Sequence, residues 1–136
     1  YTAFLYFLKG TTLLYGGQEF CCTEIPSLFE KEVFPRTLGD ISRWFPKLNQ
    51  VKKTVLSCED AFLGAADDTN DIAILERFDK NTRKLGIFSL KGKAAEITVK
   101  FPDGVYRNHL DGTEVTVTNG KLACTGKPMV LTCETK

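Results

Sequence analysis

The chain has one histidine, one tryptophan and one methionine among its 136 residues, and each scarcity narrows what it can do. His109 stands alone on a turn before Asp111-Gly112, so no catalytic triad is expected within the chain and its expected role is surface or hairpin packing. The five cysteines are Cys21, Cys22, Cys58, Cys124 and Cys133, an odd number without regular spacing. Cys21 and Cys22 are adjacent, no C-x-x-C pair exists and there are no histidine partners, which argues against a disulfide framework and against a zinc site. Free thiols suit a reducing compartment, so a cytoplasmic location is expected. Charge of one sign is also lacking. With 18 basic and 17 acidic side chains, there is neither a basic stripe for nucleic acid nor a polybasic patch for a membrane surface. The longest apolar stretch, Tyr1 to Leu8, is too short to span a bilayer, and it lacks the flanks of a signal peptide. Gly16-Gly17 lacks the spacing and the strand-to-helix setting of a phosphate loop. No cofactor or metal is expected.

What is present divides near residue 57. Ala3, Phe4, Phe7 and Leu8 fall on one helical side, and Lys9-Gly10 supplies a basic last turn and a glycine stop, so Thr2 to Leu8 reads as the end of a helix. Thr11 to Tyr15 then reads as a short buried strand closing on two glycines, which turn the backbone and present Gln18 and Glu19. Glu19 to Asp40 has Pro26, Pro35 and Gly39 and no stable period; it is expected to be mostly loop, with a turn of helix near Ser27 to Glu30. From Asp40 to Val55, Ile41, Trp44, Phe45, Leu48, Val51 and Val55 recur near helical spacing, with Asp40 as N-cap and Lys52-Lys53 near the C-terminal end. Pro46 leaves two forms open: a kinked helix, or a regular helix that begins there. Trp44 falls in the apolar pattern and is expected in the core, although its ring, like those of Tyr106 and the Phe residues, could offer a flat face for stacking.

Beyond Ala61, short runs alternate with turn signals at roughly ten-residue intervals, the pattern of an antiparallel β domain. Strands are predicted near Ile72 to Phe78, Leu85 to Lys91, Ala94 to Phe101, Gly104 to Asn108, Glu114 to Thr118, Lys121 to Cys124 and Met129 to Cys133. Asn119-Gly120 suits a type I′ hairpin. Ile97, Val99 and Phe101 alternate with Glu96, Thr98 and Lys100, so one face is packed and the other wet.

Two stretches resemble a known family. Gly10, Leu14, Tyr15, Gly17 and Glu19 match the last barrel strand of glycoside hydrolase family 13, the α-amylase family, which typically reads G-x-P-x-[IL]-Y-Y-G-x-E; Thr12 and Gly16 depart from it. Phe101-Pro-Asp-Gly-Val-Tyr106, Leu110-Asp-Gly112, Val115 to Gly120 and Pro128-Met-Val-Leu131 are similar in cadence to that family's C-terminal domain. The resemblance implies a mainly β chain: an antiparallel Greek-key β-sandwich over 58–136, preceded over 1–57 by the remnant of a (β/α)8 barrel, with the last strand near 11–15 and the last helix near 40–55. It also implies that the chain is the C-terminal part of an enzyme acting on α-glucosidic bonds of starch-like or maltooligosaccharide substrates. Such an enzyme needs two carboxylates about 5 to 5.5 Å apart. The family's three acidic residues belong to barrel strands before Thr2, and no H-D dipeptide or G-F-R-x-D run occurs here, so no catalytic residue is expected and the fragment should be inactive. Glu19 is the one site-supporting candidate; substrate-binding residues stay unassigned. The expected partner is the rest of the barrel, with self-association of the fragment in its absence. Two other readings are a non-catalytic family member like the ectodomain of a transporter heavy chain, and an autonomous carbohydrate-binding module.

Overall fold

A computed structural model describes residues 1–24, 27, 29–31, 33–36 and 38–135. Among these residues, eight strands form two four-stranded sheets in which every pairing is antiparallel. One sheet carries β1 (Ala61–Asp67), β2 (Ile72–Phe78), β3 (Thr82–Ser89) and β8 (Met129–Glu134), in that spatial order. The other has β4 (Ala95–Thr98), β7 (Lys121–Cys124), β6 (Glu114–Thr118) and β5 (Gly104–Arg107). Strands β5, β6 and β7 run as a meander and β4 lies beside β7, which is the Greek-key order. The protein is a mainly β sandwich.

The inner faces of both sheets make the first core, in which Ile72, Leu85, Ile87, Ile97, Val117, Leu122 and Leu131 are buried. Alternation explains it. In β6, Val115 and Val117 point inward while Glu114, Thr116 and Thr118 are exposed. Asn119 and Gly120 both adopt positive φ, 52° and 68°, as a type I′ turn between β6 and β7 requires.

The outer face of the first sheet is apolar as well, and two helices cover it. α1 (Thr2–Phe7) and α2 (Phe45–Thr54) bring Tyr6, Phe7, Leu48 and Val51 onto Ala73, Leu75, Phe88 and Val130 to form a second core. The apolar side of the predicted helix is thus buried against the β domain. Gly86 makes this close approach feasible, because a Cβ there would lie 2.6 Å from Phe88 Cε2 and 3.0 Å from Phe7 Cδ2. The long strands are therefore buried on both faces in their middle, and β2 and β3 show nearly continuous burial.

Several expectations need correction. Thr11 to Tyr15 forms no strand: Leu13 and Tyr15 are exposed, at 80% and 55%. A single segment with no neighbour has nothing to pair its backbone with, and strand geometry comes from the ladder. The helix expected over 40–55 begins later. A short 3-10 turn, Ser42–Trp44, precedes α2, and Pro46 sits in the helix's first turn, where its missing N–H costs nothing. Asp40 does not cap α2; its carboxylate accepts from Ser42 N at 2.8 Å, at the entrance to the 3-10 turn. Trp44, on that turn, is 39% exposed rather than in the core. Of the turn expected near Ser27 to Glu30, Leu28 lies outside the described residues, as does Pro26; Ser27 Oγ accepts from Phe29 N and Glu30 N at 3.1 and 3.2 Å. Strand β1 went unpredicted, because its six residues Ala61 to Ala66 are exposed on both faces and show no alternation. β3 begins at Thr82, three residues before the predicted start, and β4 is shorter than predicted.

Candidate functional site

Arg77 and Lys84 are direct cross-strand neighbours on the outer face of the first sheet. Both are buried, and two cations placed opposite one another repel. Asp60, just before β1, resolves the conflict. Its side chain is 0% exposed, with Oδ1 at 2.6 Å from Lys84 Nζ and Oδ2 at 3.3 Å from Arg77 Nε. The second contact is electrostatic rather than an aligned hydrogen bond. Asp60 Oδ2 also accepts from Ser57 N at 3.0 Å.

The same arginine reaches the helix layer. Arg77 donates to Phe7 O at 2.8 Å, to Leu8 O at 3.4 Å and to Ser57 O. Lys52, near the end of α2, donates to Tyr6 O and Leu8 O, both at 3.0 Å. Two cations thus satisfy the orphan carbonyls at the C-terminal end of α1, where they also complement the helix dipole. Burial, and then the nearby Arg77 charge, lower the pKa of Lys52. Burial works against charge at Lys84 too, but hydrogen bonds to Asp60 and Asp79 outweigh it and its pKa is raised. Asp79, 2.8 Å from Lys84 Nζ, has a strongly depressed pKa, first through that hydrogen bond and then through the amides of Asn81 and Thr82 and the Thr82 hydroxyl. This cluster joins helices to sandwich and leaves Asp60 and Arg77 closed to solvent. Its chemistry is structural.

Glu19 lies elsewhere. It sits half-buried in a 3-10 turn, Gln18–Phe20, entered through Gly17 at φ 89°. The Phe34 ring covers this glycine so closely that a Cβ would come within 2.6 Å of it. The Glu19 carbonyl accepts from Ile41 N at 2.8 Å, while its carboxylate has no partner among the described residues. Gln18 Nε2 donates to Thr2 Oγ1 at 3.3 Å. Among the described residues, no side-chain hydrogen bond or ion pair joins Glu19 to His109, Trp44 or Tyr106. His109 is half-buried, with Nε2 3.0 Å from Thr132 Oγ1, and burial followed by the charge of Lys47 lowers its pKa. Among the described residues no group of three or more His, Cys, Asp or Glu could hold a metal, and the five cysteines are free. No described helix is long and apolar enough to cross a membrane.

A further concavity is a cleft of about 410 Å³ between Tyr1, the Trp44 turn and the loops carrying Leu110, Asp111, Lys127 and Pro128. Sequence reasoning missed both this cleft and the ion cluster. A signal for the cluster existed: Arg77 continues the Ala73, Leu75 face of β2, and Lys84 the Gly86, Phe88 face of β3, so each is a charge in an apolar phase.

The fold defines an antiparallel β domain, a Greek-key sandwich that holds two helices on its outer face. A sequence profile described as the bacterial alpha amylase C-terminal domain matches residues 64–131. The chain belongs to that family. Solved structures agree in fold. An alpha-amylase from Lactobacillus plantarum superposes with a TM-score of 0.77 at 24% identity, over 96% of this chain and 31% of its own. A noncanonic maltogenic alpha-amylase, AmyB from Thermotoga neapolitana, gives 0.74 at 19% identity, over 99% of this chain and 36% of its own. AmyP in complex with maltotriose gives 0.67 at 11% identity, over 96% and 33%. The chain spans about a third of the length of these structures. A search of curated proteins finds no match.

Proposed function

We propose that the chain is the C-terminal part of an α-amylase-family glycoside hydrolase acting on α-glucosidic bonds of starch-like or maltooligosaccharide substrates. In this reading residues 1–57 are the end of a (β/α)8 barrel, residues 58–136 are the β domain, and the β domain stabilises the barrel without touching the scissile bond. The observation that carries the proposal is the second core. A family sandwich buries the apolar side of an amphipathic helix, at the place in the chain where a last barrel helix would stand. Thr11 to Tyr15 becomes a strand once neighbouring barrel strands pair with it, and Glu19 then stands at its end as a support for the site. Leu13, Tyr15, Phe29 and Val33, all exposed in this chain, become contacts with the rest of the barrel. Without that barrel they drive self-association of the fragment. The thiols fit a cytoplasmic parent.

The test is an assay of this chain and of the product of its whole reading frame on maltoheptaose. The expected result is turnover by the whole product, with retention at the anomeric carbon, and none by the 136-residue chain. An upstream sequence without paired carboxylates, or turnover by the fragment, would sink the proposal.

A further inference from the structure

The cleft beside Trp44 has the chemistry of a sugar-binding subsite. Its volume, about 410 Å³, lies in the range of about 300 to 1,000 Å³ typical of small-molecule sites. The floor is apolar, built from Leu48, Leu110 and Pro128, and Trp44 supplies a large exposed ring at the wall. Three polar groups without protein partners among the described residues surround it. The indole N–H of Trp44 makes no hydrogen bond to a described residue. Asp111 commits Oδ1 to Asn108 Nδ2 at 2.9 Å, Thr113 N at 3.0 Å and Thr113 Oγ1 at 2.6 Å, which leaves Oδ2 free. Among the described residues Lys127 enters no ion pair of 4.0 Å or less; burial raises the pKa of Asp111, but the hydrogen bonds from Thr113 and Asn108 and then the Lys127 charge outweigh it and lower the pKa.

Asp111 and Lys127 also line a second depression, of about 440 Å³, whose other walls include Thr113, Glu114, Thr116 and Thr125. The two depressions therefore adjoin across one carboxylate and one ammonium group. Because both signs of charge are free at the shared wall, an anion or a cation would meet repulsion from one of them. A neutral ligand rich in hydroxyls satisfies both. Pyranose rings present C–H bonds on their faces, which suit an aromatic platform, and hydroxyls at their edges, which donate to Asp111 and accept from Lys127.

We propose that this groove binds a short run of glucose units of an α-glucan, with one ring on Trp44 and the next bridging Asp111 and Lys127. The groove rests on its own geometry, whereas the choice of α-glucan rests on the function proposed above. Binding here is non-catalytic, since it places no carboxylate pair across a glycosidic bond.

Trp44 is the only tryptophan, so its fluorescence reports the site directly. Titration of the 136-residue chain with maltotriose should give a saturable change at roughly millimolar sugar. Lys127→Ala, on an exposed loop, should keep the wild-type melting curve and weaken binding about tenfold, as the loss of one charge-assisted hydrogen bond predicts. Trp44→Ala, followed by amide chemical shifts, should abolish it. No response in the wild type, or an unchanged affinity in Lys127→Ala, overturns the site. An equal response to cellotriose overturns the α-glucan assignment alone. An active whole product with no Trp44 response leaves the proposed function standing and removes this inference.

Discussion

Asp60→Ala removes the carboxylate that, among the described residues, contacts both Arg77 and Lys84. Its oxygens are 2.6 Å from Lys84 Nζ and 3.3 Å from Arg77 Nε, and the group is wholly buried. Breaking a buried pair from one side costs about 3 to 5 kcal/mol, because it leaves uncompensated charge. Here the loss falls on two cations that face each other across the ladder, while Ser57 N also loses its acceptor. Two features moderate it: Lys84 keeps Asp79, and Arg77 keeps its carbonyl partners. The lower half of the range, about 3 to 4 kcal/mol, is therefore expected, out of a total stability of order 5 to 15 kcal/mol for a domain. At this chain length that corresponds to a fall in Tm of roughly 10 to 15 °C. Urea and thermal unfolding followed by circular dichroism measure it. Adding Lys84→Met to Asp60→Ala should recover part of the loss by removing one stranded cation, and Asp79→Ala alone should cost much less, since that carboxylate is 41% exposed. A loss below about 1 kcal/mol in Asp60→Ala would mean that the cluster is effectively solvated and would refute this reasoning.

Gly86→Ala forces a methyl against Phe88 and Phe7, which are both buried and cannot yield, so it should destabilise by about 1 to 3 kcal/mol in the same assay. Acidification should act in two stages. His109 has a folded pKa below its ordinary value of about 6.5, so between the two the unfolded chain binds more protons and stability falls as pH drops from about 6.5. Asp79 has a folded pKa far below the ordinary value of about 3.9, so its contribution is complete above that pH and is lost as the solution is taken lower. Urea midpoints at neutral, mildly acidic and strongly acidic pH should show both stages, and His109→Gln should remove only the first. Light scattering should find the fragment self-associated, with Leu13→Lys and Phe29→Glu shifting it toward monomer; an unaltered monomer in the parent chain would contradict that expectation.

The sandwich was legible in the sequence because its strands alternate and its turns need particular residues: Glu114 to Thr118 shows the period and Asn119-Gly120 the hairpin. β1 was not, since strand Ala61–Asp67 is an edge with both faces uncovered and so carries no alternation. The apolar side of α2 was legible from its spacing, and the partner it finds is the sheet. Trp44 misled because helical spacing was extended back through a 3-10 turn, where the phase differs. Thr11 to Tyr15 misled for another reason. Its residues suit a buried strand, but a strand also needs neighbours, and no described strand pairs with it. The Asp60, Arg77 and Lys84 cluster is assembled from two adjacent strands and the turn before β1, so no local motif announces it; only the misplaced charges in β2 and β3 hint at it. The same holds for the Trp44 cleft, whose walls come from segments more than eighty residues apart in sequence, Trp44 and Lys127.

The central claim is that this domain supports a barrel and takes no part in bond cleavage. It is tested most directly by placing Arg77→Ala in the whole product and measuring Tm alongside kcat/KM on maltoheptaose well below the melting range. Loss of the carbonyl clamp on α1 should lower Tm by several degrees and leave kcat/KM within about twofold of wild type. A large fall in kcat/KM with an unchanged Tm would contradict the account.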